Sequence, residues 1–228
     1  MNMALCSITK AMAKAGMAIE ALAIAREIKV ANSRAEALRS IAEALMKSGL
    51  VTEMREVAME ALDAVCDIKD AYPHSQQEVL SSIAEMLIRK ELMADALIVA
   101  REFENAYLRA KALMEVANLY LDRGQADESR KLFDEAQGVI SKVFDDKLRS
   151  EVMRYLAVIL ARLHSYRPAR DFAEPCSSSS NWLGAYTAIF REYYIENDPS
   201  LAQVFLGHPK STDRKAAANR FESPHRAL

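Results

Sequence analysis

The chain has 228 residues, of which 51% are apolar and 27% charged, and its 30 basic and 32 acidic residues leave a net charge of −2. This composition supports a buried core, excludes a disordered chain, and lacks the basic surplus of a nucleic-acid binder. Pro73 is the one proline before residue 167 and the whole chain holds 6 glycines, which excludes an all-β fold with its turn signal every ~8–12 residues.

One short pattern recurs along the chain. It reads SITKAMAKAG at 7–16, SIAEALMKSG at 40–49, SIAEMLIRKE at 82–91, EVANLYLDRG at 115–124 and YLAVILARLH at 155–164. A degenerate copy, AIFREYYIEN, follows at 188–197. Anchored on Ile8, Ile41, Ile83, Val116, Leu156 and Ile189, the copies stand 33, 42, 33, 40 and 33 residues apart. Three residues before each anchor come Leu5, Leu38, Leu80, Leu113, Met153 and Tyr186; four after it come Met12, Leu45, Leu87, Tyr120, Leu160 and Tyr193. Those offsets share one face of a 3.6-residue helix. The residue after the anchor is alanine in four copies, small enough for close helix approach. Eight residues after the anchor stands Gly16, Gly49 or Gly124, a left-handed stop, replaced by Glu91, His164 and Asn197 in the other copies.

A second helix is expected after each stop. The segments 17–31 and 92–106 predict short ones. The segments 51–70 and 126–146 predict long ones, because the connections there gain 9 and 7 residues, about two extra turns. Pro168 suits the first turn of a helix that Pro175 ends. Cys176 to Ser180 reads as a loop, and 181–196 resumes a helix. The reading is a repeat domain over 1–197 and a mobile tail over 198–228. A brief helix near 211–221, capped by Ser211, Thr212 or Asp213, is allowed in that tail.

These units resemble the tetratricopeptide repeat, a family of stacked helix pairs of about 34 residues. In the fourth unit Leu113, Val116, Ala117, Tyr120, Gly124, Phe133 and Ala136 fall on the family's signature spacing; in the second, Leu38, Ile41, Ala42, Leu45, Gly49, Ala58 and Ala61 do so. The chain departs from the family in its missing signature tryptophan, its missing loop proline and its two longer units. The resemblance implies an all-α fold: an α-α superhelix, or solenoid, of five to six stacked antiparallel hairpins, to which the spacing of the copies adds alternating short and long second helices. It also implies a groove lined by the first helix of each hairpin. Carried onto this chain, the family's groove positions select Lys10, Lys14, Glu36, Arg39, Glu43, Glu78, Glu85, Arg89, Asn118, Asp122, Arg154, Arg162 and Arg191. Met46, Lys47, Ser81, Lys111, Met114, Glu151 and Tyr194 fall on the same rows. The family's clamp for a terminal carboxylate is not supported, because Glu151 and Tyr155 stand where basic partners belong.

Arg34, Arg109 and Arg149 share a position seven before the anchor, with Gln76 in the third unit. They read either as an anion ladder or as ties to Asn32, Asn105 or Asp146. The first helix, 3–15, has only a narrow polar stripe of Ser7, Lys10 and Lys14. Its apolar remainder predicts a face covered by a second copy, as a homodimer, or by another chain. Cys6, Cys66 and Cys176 are odd in number and far apart, as in a reducing cytoplasm. No apolar run predicts a signal peptide or a membrane span.

Chemistry-bearing motifs are missing. The four histidines are scattered, no HExxH or Cys/His cluster occurs, and neither a phosphate-cradling glycine loop nor a GxSxG elbow is present. The expectation is a non-enzymatic scaffold for a protein or peptide partner, with no cofactor, no metal and no membrane. An RNA reader and the regulatory subunit of an enzyme complex are the alternatives.

Overall fold

A computed structural model describes residues 2–68, 73–176 and 178–197. Among them are eleven helices and no strand. The expected tail, 198–228, with its brief helix, lies outside the described residues, as does Ser177. The chain forms two compact units that divide inside a helix, after Ala112.

The first unit holds α1 (Asn2–Lys14), α2 (Ala18–Arg26), α3 (Ala31–Lys47), α4 (Val51–Cys66), α5 (Pro73–Arg89), α6 (Met93–Glu102) and the start of α7 (Ala106–Asp122). The second holds the rest of α7, α8 (Ala126–Ile140), α9 (Asp146–Arg162), α10 (Tyr166–Ala173) and α11 (Ser179–Asn197). In the first unit α3 packs against α1, α2, α4 and α5; in the second α9 packs against α8, α10 and α11. Both are stacks of antiparallel hairpins.

The second helices alternate as the spacing predicts, with 9, 16, 10, 15 and 8 residues. They are nonetheless shorter than the sequence expectation. The helices α2, α4, α6 and α8 end before Ile28, Ile68, Phe103 and Val143, all buried. Each of those side chains is inserted into the core just past its helix, where the chain turns toward the next hairpin, so part of each insertion goes into the connection. At the other end of the chain, Ser179 and Ser180 belong to α11 and not to the loop.

Five of the first helices end alike. The amide of Gly16, Gly49, Glu91, Gly124 or His164 bonds the carbonyl three residues back. The next amide reaches five back, to Met12, Leu45, Leu87, Tyr120 or Leu160, at 2.8–3.0 Å. This closes orphan carbonyls with a left-handed residue, and all five have φ between 55° and 86°.

The anchors pack as predicted from α3 onward. Ile41, Ile83, Val116, Leu156 and Ile189 are fully buried and the small or apolar residue after each is buried, while Tyr120, Met153 and Tyr193 on the flanking rows are half-buried. The first helix differs: it buries Cys6, Thr9 and Ala13, while Ile8 is 50% exposed and Leu5 and Met12 are half-buried. Helix α3 has a first helix on each flank, whereas α1 has α3 on one flank alone.

Candidate functional site

The groove positions of the first unit come from three neighbouring first helices, α1, α3 and α5. Most of their charges are consumed internally. Lys10 Nζ donates to Glu36 Oε2 across α1 and α3 at 2.8 Å. Arg39 bonds the same Glu36 at 3.3 Å and also Glu43, one helical turn on. Ser82 of α5 donates to Glu43 at 3.0 Å. The result is a continuous, neutral chain of polar groups over three helices. Glu36 and Arg39 are each 18% exposed at the side chain.

The electrostatics follow from that geometry. Burial pushes the Glu36 carboxyl up, but the Lys10 hydrogen bond and the Arg39 and Lys10 charges outweigh it, and its pKa lies below the ordinary value. Burial pulls the Arg39 guanidinium down, and the Glu43 and Glu36 charges more than reverse this. Arg39 Nε is buried without a hydrogen-bond partner, so its fork is only partly used.

On α5, Arg89 pairs with Glu85 at 2.5 Å, both exposed, and Glu78 is exposed. Lys14 and Lys47, at the last turns of α1 and α3, are exposed as well. In the second unit Arg162 of α9 donates to Asn118 at 2.9 Å and Asp122 at 2.6 Å, both on α7. Arg154 lies 4.2 Å from the ring centroid of Tyr155, in cation–π range. A Cβ at Gly184 would lie 3.1 Å from Arg154 Cδ, so this glycine leaves room for the arginine stem. Arg191 bonds its neighbour Glu192. Met114, on a groove row by register, is fully buried and belongs to the core; the side chain of Tyr194 lies outside the described residues.

The residues seven before the anchor bind backbone. Arg34 donates to Ile28 O at 3.4 Å, Gln76 to Ile68 O at 3.0 Å and Arg109 to Phe103 O at 2.9 Å, each the carbonyl of an inserted apolar residue, and Arg34 also pairs with Asp67 at 2.8 Å. Arg149 pairs with Asp146, as the tie reading expects. Asn32 accepts from Ser75 and not from Arg34. The anion-ladder reading therefore loses its donors to structural work.

Sequence reasoning missed the ties between second helices. Arg26 of α2 forks onto Glu60 of α4, and Arg55 of α4 onto Asp95 of α6. These residues keep no constant offset from the anchors, so the repeat gives no signal for them.

A cavity of about 210 Å³ lies between α4, α5 and α6, against Val65, Cys66, Gln77, Leu80 and Glu102. It is smaller than the ~300–1,000 Å³ of ordinary ligand sites. Among the described residues no group of three or more His, Cys, Asp or Glu side chains could hold a metal ion, and no helix is long and apolar enough to cross a membrane.

The tetratricopeptide repeat family model matches residues 108–176, from α7 to just past α10. That stretch contains the signature set Leu113, Val116, Ala117, Tyr120, Gly124, Phe133 and Ala136. Over that stretch the chain is similar to the tetratricopeptide repeat, and such repeats are generally protein–protein interaction modules. Among solved structures it is similar to nearly identical TPR-like repeats assigned to a kinesin light chain of Podosopora anserina. That match has 16% identity and a TM-score of 0.46, and covers 77% of this chain and 93% of that one. A single-substitution form of the same repeats matches at 15% identity and a TM-score of 0.45, covering 76% and 91%. No curated protein matches.

Proposed function

We propose that this protein is a non-enzymatic interaction scaffold, which binds a peptide segment or a partner protein along the face lined by the first helix of each hairpin. The observation that carries the reading is the polar chain from Lys10 through Glu36, Arg39 and Glu43 to Ser82. It holds one face of α1, α3 and α5 as a pre-organised polar surface, while their apolar stripes do the packing. A rigid surface loses little conformational entropy when a segment docks on it, and a few anchors then set the affinity.

The test is affinity capture from the native host with wild type and with Arg39→Glu/Arg89→Glu/Arg154→Glu, both checked for helical content by circular dichroism. Loss of captured partners from the folded variant is the expected result. Survival of every partner removes the groove assignment. Tight, salt-sensitive RNA binding would replace it with the RNA-reader alternative, against which the near balance of charge stands. A demonstrated enzyme complex would make the chain a regulatory subunit.

A second copy of the chain on the N-terminal hairpin is favoured by a separate observation. Ile8 is 50% and Ile19 71% exposed, with Leu5 and Met12 half-buried, where the equivalent Leu38, Ile41 and Leu45 of α3 are covered. Light scattering should show a dimer that Leu5→Glu dissociates; a monomer unaffected by that change sinks it. The three unpaired thiols fit a reducing cytoplasm.

A further inference from the structure

Within the groove of the first unit, the internal pairing decides which charges are left for a partner. Lys10, Glu36, Arg39 and Glu43 neutralise one another, and Glu85 offsets Arg89. Lys14 and Lys47 are exposed and engaged in none of these pairs; the exposed Glu78 is outside them too, but stands at the opposite end of α5. Both stand six residues after their anchors, and Arg89 occupies the same position on α5. The three first helices lie side by side, α1 against α3 and α3 against α5. Lys14, Lys47 and Arg89 therefore form one row along a single rim of the groove, at the C-terminal ends of parallel helices. The row ends with this unit: the equivalent residue of α7 is Asp122, already held by Arg162.

We propose that this row is a binding rail for an acidic peptide in extended conformation, with carboxylates at every third residue. The inference rests on the groove reading above and names the chemistry of its ligand. Charge complementarity sets the sign: the rim carries two lysines outside the neutral network, so a segment laid along it gains from carboxylates. Helix spacing sets the period. Packed helices lie ~8–10 Å apart, and an extended polyproline II chain advances ~3.1 Å per residue with every third side chain on one face, so about three residues carry it from one cation to the next. A helical ligand, at 1.5 Å per residue, needs ~6 residues for the same step. A lysine in a last turn also complements the helix dipole, so stability does not report on the rail and binding must.

The experiment uses fluorescence anisotropy on the full chain with two labelled peptides of equal composition. One has glutamates at every third residue among Gly and Ser, and the other has the same glutamates in a single block. The rail predicts tighter binding of the periodic peptide, weakened by salt and roughly tenfold by Lys14→Glu/Lys47→Glu. The control Lys142→Glu, in the α8–α9 connection, should leave it unchanged. No binding of the periodic peptide, equal binding of the two peptides, or an unaltered variant overturns the proposal. So does tighter binding of an oligouridine that the same variant abolishes, which assigns the row to nucleic acid. Failure here, with native partners still lost from Arg39→Glu/Arg89→Glu/Arg154→Glu, removes the rail and leaves the groove reading standing.

Discussion

Arg55 on α4 grips Asp95 on α6 with two parallel bonds, Nε to Oδ2 at 2.5 Å and Nη2 to Oδ1 at 2.9 Å. Asp95 is only 6% exposed. The fork therefore compensates a carboxylate that the hairpin stack removes from water. Arg55→Ala leaves that carboxylate buried without either bond of the fork, and the thermal midpoint should fall by roughly 2–6 °C. Arg55→Ala/Asp95→Ala should recover part of the loss, because the stranded charge is gone. The Arg26–Glu60 fork has the same shape but is largely in solvent. Its removal should shift the midpoint far less, since exposed pairs contribute little. Calorimetry of these variants decides whether burial or geometry governs.

Glu36 gives the stack an acid-sensitive joint. Its folded pKa is depressed, so its contribution to stability is complete above the unfolded carboxylate value of about 4.3 and is lost as pH falls through the lower folded value. Glu36→Gln should be less stable than wild type at pH 7, with Lys10 and Arg39 left facing a neutral amide. Urea midpoints of the two proteins should stay apart down to about pH 5 and converge below about pH 4. A constant gap down to pH 3 contradicts the network.

The hairpin repeat was legible because it rests on offsets that survive substitution: the stripe, the small residue after the anchor and the left-handed stop. Most of the candidate site was not. The sequence places Lys10, Glu36, Arg39 and Glu43 on one face, but partner choice depends on how far neighbouring helices slide along one another. Lys10 and Glu36 are 26 residues apart in the chain. Register alone also put Met114 in the groove, where helix rotation buries it. The row of Arg34, Gln76 and Arg109 was visible as a row, yet the acceptors its members share are carbonyl oxygens, which every residue carries and no sequence marks; Arg34 adds the Asp67 carboxylate.

That row yields its own prediction. Arg109 is half-buried and closes the carbonyls of Phe103 and Arg101 at 2.9 and 3.0 Å. Arg109→Met keeps the apolar stem and removes both bonds, which should cost about 1–3 kcal/mol in urea denaturation. Arg109→Lys should recover only part, because an ammonium cannot span two carbonyls as the planar fork does. Full recovery by lysine would mean that charge alone matters there.

The thiols should separate by burial. Cys6 and Cys176 are buried, whereas Cys66 is exposed. Burial first, then Glu102, Asp63 and Asp67, hold the Cys66 thiol above its ordinary value. An aromatic disulfide reagent at pH 8 should modify one cysteine of the folded protein, more slowly than free cysteine, and all three after unfolding. Rapid modification of two or more in the native state contradicts the packing of α1 or of the α10–α11 connection.

The left-handed stops allow the backbone contribution to be isolated. Gly49 has φ of 77°, and a Cβ there would meet nothing within 4 Å. Gly49→Ala therefore introduces no clash with neighbours, and its whole penalty comes from the local backbone. It should lose about 1 kcal/mol, the cost of a left-handed non-glycine residue. Glu91 holds the same place after α5 with φ of 55°. Glu91→Gly relieves that cost but enlarges the unfolded ensemble and gives up the glutamate's own contacts, so the net gain should stay below about 1 kcal/mol. Opposite signs for the two substitutions in matched urea titrations would show that the stop is a conformational device, independent of which side chain carries it. Equal signs would place the stabilising contribution of Glu91 in its side chain.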